Sequence, residues 1–172
     1  LIVLALILLN GLFALSELAV VSARHSRLKA MAAAGRRGAD SALALNTNPS
    51  RFLSTVQIGI TLIGIVSGVY SGEAFGAQAA STLSELGVPD RLAVPLGYGT
   101  IVLIVTYFSV IIGELVPKNL ALRNAESLAC AVAPIMVVVA KAGGPAVWLL
   151  DVSTQLVFRA IGQSTEREIR VT

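Results

Sequence analysis

Three apolar runs, at about 1–22, 52–70 and 94–115, dominate the chain. Each falls within the roughly 17–25 residues that a helix needs to cross the hydrocarbon core of a bilayer. Between the first two, LKAMAAAGRRGADSALAL is Ala-rich and helix-prone and reads as an amphipathic helix near the lipid headgroups. NTNPS then supplies a cap and a turn. A loop is predicted over 71–93. A fourth apolar stretch, about 128–161, is interrupted by Pro134, Lys141, the GGP at 143–145 and Asp151. Each half is short for a full span, so the pattern predicts a helical hairpin that re-enters the membrane or wraps its surface; a plain fourth span is the alternative. The expected fold is an all-α integral membrane domain over 1–161: three transmembrane helices plus a juxtamembrane or re-entrant helical hairpin. A charged cytoplasmic linker is expected at 162–172.

Composition supports this. Of the 172 residues, 55% are hydrophobic and 13% are charged, about half the charged fraction of an ordinary soluble domain. Mean hydropathy is +0.81. These values exclude a disordered chain, a nucleic-acid module and a secreted disulfide scaffold. The single cysteine, Cys130, lies in an apolar stretch and has no partner for an internal disulfide. The net charge of +3 is more informative by placement than by total. Arg24, Arg27, Lys29, Arg36, Arg37 and Arg51 follow the first run, whereas 71–93 carries only Arg91 against Glu73, Glu85 and Asp90. By the positive-inside rule the first loop is cytoplasmic and the N-terminus is outside, in a multi-pass protein of the cell membrane. A removed signal peptide is the competing reading of the start, but nothing basic precedes Leu1 and the run continues past Glu17. With no initiator Met and a charged end, the chain reads as a piece of a longer protein.

Two carboxylates, Glu17 and Glu114, sit inside apolar runs. An ionisable group at membrane depth costs on the order of 2.5–3.5 kcal/mol on the insertion scale and marks an ion pathway or a buried pair. The plainer alternative is that both snorkel to the cytoplasmic surface. Glu114 lies in GELVP. Pro117 has no N–H, so a regular helix leaves the Gly113 carbonyl without its donor, beside the Glu114 carboxylate. Such an oxygen needs a partner in lipid, and a hard cation such as Mg²⁺, Ca²⁺ or Na⁺ is one; an ordinary helix kink at Pro117 is the other explanation. Thr106, Ser109, Gly113 and Pro117 share one helical face. So do Ser54, Gln57 and Thr61 on the second run, and Asn10, Phe13 and Glu17 on the first, with Ser16 adjacent. Single hydroxyls in membrane helices often only bond their own backbone. The convergence of three polar stripes with two carboxylates is the stronger signal.

Gly64, Gly68 and Gly72 form a GxxxGxxxG pattern that suggests a tight helix contact, within the chain or across a dimer. There is no Cys/His cluster for zinc, no P-loop and no GxSxG nucleophile motif. Enzymatic activity and nucleic-acid binding are not expected.

LNGLFALSELAVVSARHSRL, NPSRFLSTVQIGITLIGI and IIGELVPKNLAL together resemble the transmembrane domain of the CNNM/CorC family, membrane proteins linked to Mg²⁺ transport, chiefly efflux. The resemblance runs from Leu9 to about Ile161. It implies three membrane helices and a juxtamembrane helical segment, assembled as a homodimer, with tandem CBS domains beyond. It also implies a dehydrated Mg²⁺ held by oxygens from the three helices. Carried over, the family's SE pair falls on Ser16 and Glu17, and its GE…PK on Gly113, Glu114, Pro117 and Lys118. Many members have Asn in the second helix, where this chain reads IGIT. Thr61 is the candidate substitute ligand.

The expected function is Mg²⁺ efflux, with metal ligands drawn from Ser16, Glu17, Thr61, Gly113 and Glu114, a kink at Pro117, and Gly64 and Gly68 at the helix or dimer contact. Na⁺ is the candidate coupling ion. The rival is a non-transporting dimeric anchor that senses Mg²⁺ and regulates another transporter. A haemolysin-like pore fits poorly, because the runs are too apolar for a chain that must first be soluble.

Overall fold

The computed structural model describes residues 1–161; the predicted linker at 162–172 lies outside the described residues. Those residues are helical almost throughout: α1 (Ile2–Ser22), α2 (His25–Ala33), α3 (Ala39–Thr47), α4 (Pro49–Glu85), α5 (Asp90–Val110), a π-helical turn (Ile111–Leu115), α6 (Val116–Arg123), α7 (Ala125–Ala142) and α8 (Gly144–Ala160). Among them there is no strand.

α1 has 21 residues, about 31 Å at 1.5 Å per residue, one bilayer core. It stops where Ala23 turns extended. The Asn46 side chain on α3 donates to the freed carbonyls of Val20 (2.8 Å) and Ala23 (3.1 Å). The amphipathic segment predicted after the first run is two short helices. α3 begins at Gly38, whose φ of 77° is unfavourable for a side chain. A Cβ there would also run into the Cys130 carbonyl on α7.

The stretch predicted as a loop over 71–93 is helical through Glu85, and only 86–89 connects α4 to α5. Nothing in GEAFGAQAASTLSE breaks a helix, and its lower hydropathy was misleading. The true stop is a Schellman-type cap, with Gly87 at φ 90°. The Val88 N–H bonds the Leu83 carbonyl and the Gly87 N–H bonds the Ser84 carbonyl. α4 is thus 37 residues long, about 55 Å, well beyond a bilayer core of about 30 Å. α4 and α5 pack as a close antiparallel hairpin. A Cβ on Gly97 would come within 2.5 Å of the Ala80 nitrogen, and one on Gly76 within 2.5 Å of the Tyr98 ring.

Among the described residues, four helical stretches are long and apolar enough to cross a membrane: Ile2–Ser22, Ser50–Glu85, Asp90–Arg123 and Ala125–Ala142. The first three contain the three predicted runs. The fourth is the first half of the predicted hairpin, and it reaches 18 residues because Pro134 is held within α7. By length and composition the count is therefore four. α8 follows at a break beside Gly143, which abuts Thr55 of α4.

The core lies where α1, α2, α3, α4, α6 and α7 meet. Ala19, Val20, Leu28, Ala42, Phe52, Val56, Ala129 and Met136 are buried there. Small alanines let the short helices approach α1 and α7 closely. Elsewhere the surface is strongly apolar: Leu62, Ile65, Leu103 and Tyr107 are each about three-fifths exposed or more. A water-soluble monomer does not expose such a surface, but a membrane protein does.

Candidate functional site

Where α1, α4 and the end of α5 meet, a cavity of about 250 Å³ opens among Asn10, Ile60, Gly64, Ser67, Gly68, Val105, Thr106, Ser109, Val110 and Glu114. Its polar groups come from three separate helical segments. Glu114 stands on the π-helical turn, and its side chain is 39% exposed, open enough to meet a ligand. Thr106 and Ser109 lie about two turns and one turn before it and line the same cavity. Gly64 and Gly68 line the opposite wall. A Cβ at either meets nothing within 4 Å, so these two glycines make no tight contact within the chain. Gly76 and Gly97 make that contact instead.

The turn carrying Glu114 is wider than an α-helix: the Val116 N–H reaches back five residues to the Ile111 carbonyl. Single π turns of this kind occur frequently at functional sites. The Gly113 oxygen, predicted to lack a donor because of Pro117, has one. The Asn10 Nδ2 of α1 donates to it at 3.1 Å in a buried hydrogen bond. One lone pair of that carbonyl is thereby used. Two glycines permit the approach. A Cβ on Gly113 would meet Asn10 Nδ2 and the Ile7 carbonyl at 3.1 Å, and one on Gly11 would meet the Pro117 ring at 3.1 Å.

Two of the lining residues, Asn10 and Ser67, each keep a buried side-chain oxygen without a hydrogen-bond partner, Asn10 Oδ1 and Ser67 Oγ. These residues are 5% and 2% exposed. Buried polar atoms are rarely left unpaired, and here two of them belong to residues that line one cavity with a carboxylate. The sequence reading did not include either residue among the ligands. Asn10 was legible as the polar member of the Glu17 stripe. Ser67 was hidden inside the glycine pattern.

The other predicted ligands lie elsewhere. Ser16 is fully buried, and its hydroxyl donates to the Leu12 carbonyl of its own helix at 2.6 Å. Thr61 donates to the Gln57 carbonyl at 2.9 Å and lines a separate, apolar cavity with Ile58, Leu62 and Leu150. Both hydroxyls follow the backbone-bonding habit of such residues in helices. Glu17 does not line the Glu114 cavity either. It is joined to it through Lys118, whose Nζ stands 2.6 Å from Glu114 Oε1 and 4.0 Å from Glu17 Oε2. Among the described residues no group of three His, Cys, Asp or Glu side chains gathers. The pocket therefore has one carboxylate and several neutral oxygens, a donor set for hard cations rather than for zinc or copper.

Several helices long and apolar enough to cross a membrane define a multi-pass helical membrane protein. The chain belongs to the family described as the Cyclin M transmembrane N-terminal domain, whose model matches residues 1–172. It is 46% identical to the UPF0053 protein sll0260 of Synechocystis over 96% of this chain and 39% of that protein. It is 30% identical to the UPF0053 protein YhdP of Bacillus subtilis over 95% of this chain and 37% of that protein. A protein of Haemophilus influenzae named polyamine export protein is 28% identical over 99% of this chain and 39% of its own length. The chain thus spans under two fifths of each of these relatives.

Proposed function

We propose that this domain binds Mg²⁺ in the Glu114 cavity and moves it out of the cell. The single observation that carries this reading is the cavity itself: one carboxylate, Glu114, in a pocket whose other polar lining residues are Asn10, Ser67, Thr106 and Ser109. Mg²⁺ gives up water reluctantly, so a site that strips it needs a charged ligand at depth. Glu114 supplies the charge, and the neutral oxygens replace lost water. The Gly113 carbonyl, adjacent on the π turn, contributes through its remaining lone pair. Ser16, Glu17 and Thr61 are left in supporting positions rather than in the ligand set. In this reading α1, α4 and α5 cross the membrane, the basic α2–α3 region is cytoplasmic, and α7 packs beside them at the inner surface. The apolar outer faces of α4 and α5 would take lipid or a second copy in a homodimer. Na⁺ is the coupling ion to test first.

A second cation class has its own support. The Glu114 carboxylate already holds a primary alkylammonium, that of Lys118, and a related protein is named for polyamine export. A polyamine terminus would make the same bond. Liposomes containing this protein alone, loaded with Mg²⁺ or with spermidine, separate the readings. Mg²⁺ efflux above protein-free vesicles supports the proposal. Spermidine flux without Mg²⁺ flux favours the organic cation. Binding of Mg²⁺ with no flux of either favours a sensor that acts on another transporter.

A further inference from the structure

Lys118 lies between two carboxylates that belong to different helices. Its ammonium makes a short, charge-assisted bond of 2.6 Å to Glu114 Oε1. On its other side, 4.0 Å away, is Glu17 Oε2 of α1. That oxygen is buried and has no hydrogen-bond partner. An unpaired carboxylate oxygen at membrane depth is costly, and its one basic neighbour is committed elsewhere.

From this geometry we infer that Lys118 is a built-in competitor for the cation site: it neutralises Glu114 while the cavity is empty and transfers to Glu17 when a cation arrives. The inference rests on the proposal that Glu114 binds the transported cation. A divalent ion on the carboxylate repels an ammonium held on the same group, and the repulsion is strong where water is scarce. The lysine stem has four flexible carbons. Closing the 4.0 Å gap to an ordinary charged hydrogen bond of about 2.8 Å requires a shift of only ~1 Å. Glu17 therefore removes the main cost of displacement, an ammonium left without a partner. Once the ion is bound, neither carboxylate is left without a cation. Such an exchange lowers affinity for the ion and so favours its release, because the departing ion is replaced at once by a tethered charge.

Zero-length carbodiimide crosslinking of the wild-type protein in nanodiscs, read by mass spectrometry, tests the exchange. Without Mg²⁺ the amide should join Lys118 to Glu114; with saturating Mg²⁺ it should shift at least about fivefold toward Lys118–Glu17. A calorimetric cycle provides the second reading. Lys118→Met should tighten Mg²⁺ binding about tenfold or more, and Lys118→Arg should stay within about threefold of wild type. Glu17→Gln should weaken binding about tenfold alone but no more than about twofold in the Lys118→Met background, because the two act as one unit. An unchanged crosslink ratio in protein that binds Mg²⁺, or equal effects of Glu17→Gln in both backgrounds, overturns the exchange and leaves the Glu114 site standing. Mg²⁺ binding that survives Glu114→Gln overturns the site itself, and the exchange with it.

Discussion

The Asn10 side-chain amide donates to the Gly113 carbonyl, the acceptor that Pro117 would leave without a donor in a regular helix. The bond ties α1 to the π-helical turn and holds Glu114 at the cavity wall. Asn10→Leu should cost about 1–3 kcal/mol, the usual penalty of a buried acceptor losing its donor, seen as a lower thermal midpoint in detergent. Pro117→Ala restores an N–H to the helix. In that background the cost of Asn10→Leu should fall by at least about half; an unchanged cost would mean that Asn10 acts through packing alone.

The α4–α5 hairpin depends on missing side chains. Gly97→Ala puts a Cβ 2.5 Å from the Ala80 backbone and should destabilise by about 1–3 kcal/mol, the range for overpacking. Gly99 has open space around it, and Gly99→Ala should be within about 0.5 kcal/mol of wild type, as for ordinary exposed positions. Comparing the two midpoints checks the hairpin register directly.

Gly68 separates two roles. It lines the cavity, and a Cβ added there would meet nothing within 4 Å. Gly68→Leu should fill the pocket and lower Mg²⁺ affinity at least about tenfold, roughly 1.4 kcal/mol, while the helices remain folded by circular dichroism. Loss of a dimer in the same variant, measured by light scattering in detergent, would instead put the glycine face against a second copy.

The proposed orientation rests on Arg24, Arg27, Lys29, Arg36 and Arg37, in and around α2. Ser81 lies exposed near the far end of α4. A cysteine there should react with an impermeant maleimide on intact cells. Reaction only after lysis would reverse the topology.

Much of this fold was legible because apolar length is a strong signal. The first run ends as α1 does, at Ser22; the face through Thr106 and Ser109 was predicted to run on to Gly113, whereas the cavity those two line contains Glu114. What escaped were relations that no single segment contains. The partner of the Gly113 oxygen is 103 residues away on α1, so a local reading of Pro117 left that oxygen free. Lys118 and Glu114 are four apart and readable as a pair, but Glu17 joins them only through helix packing. The 71–93 stretch looked like a loop because its polar residues reduce hydropathy, although its helix propensity is good up to Gly87. Ser16 and Thr61 are candidate ligands by sequence, Thr61 where many relatives have Asn, yet each hydroxyl bonds the carbonyl four residues back.

The central claim is that Glu114 binds the transported cation, and Glu114→Gln tests it with least disturbance, since it keeps the shape and removes the charge. Mg²⁺ efflux from proteoliposomes should fall at least about tenfold, equal to roughly 1.4 kcal/mol, in protein whose thermal midpoint shows it folded. Efflux equal to wild type in folded Glu114→Gln would contradict the account and leave Glu114 as no more than the partner of Lys118.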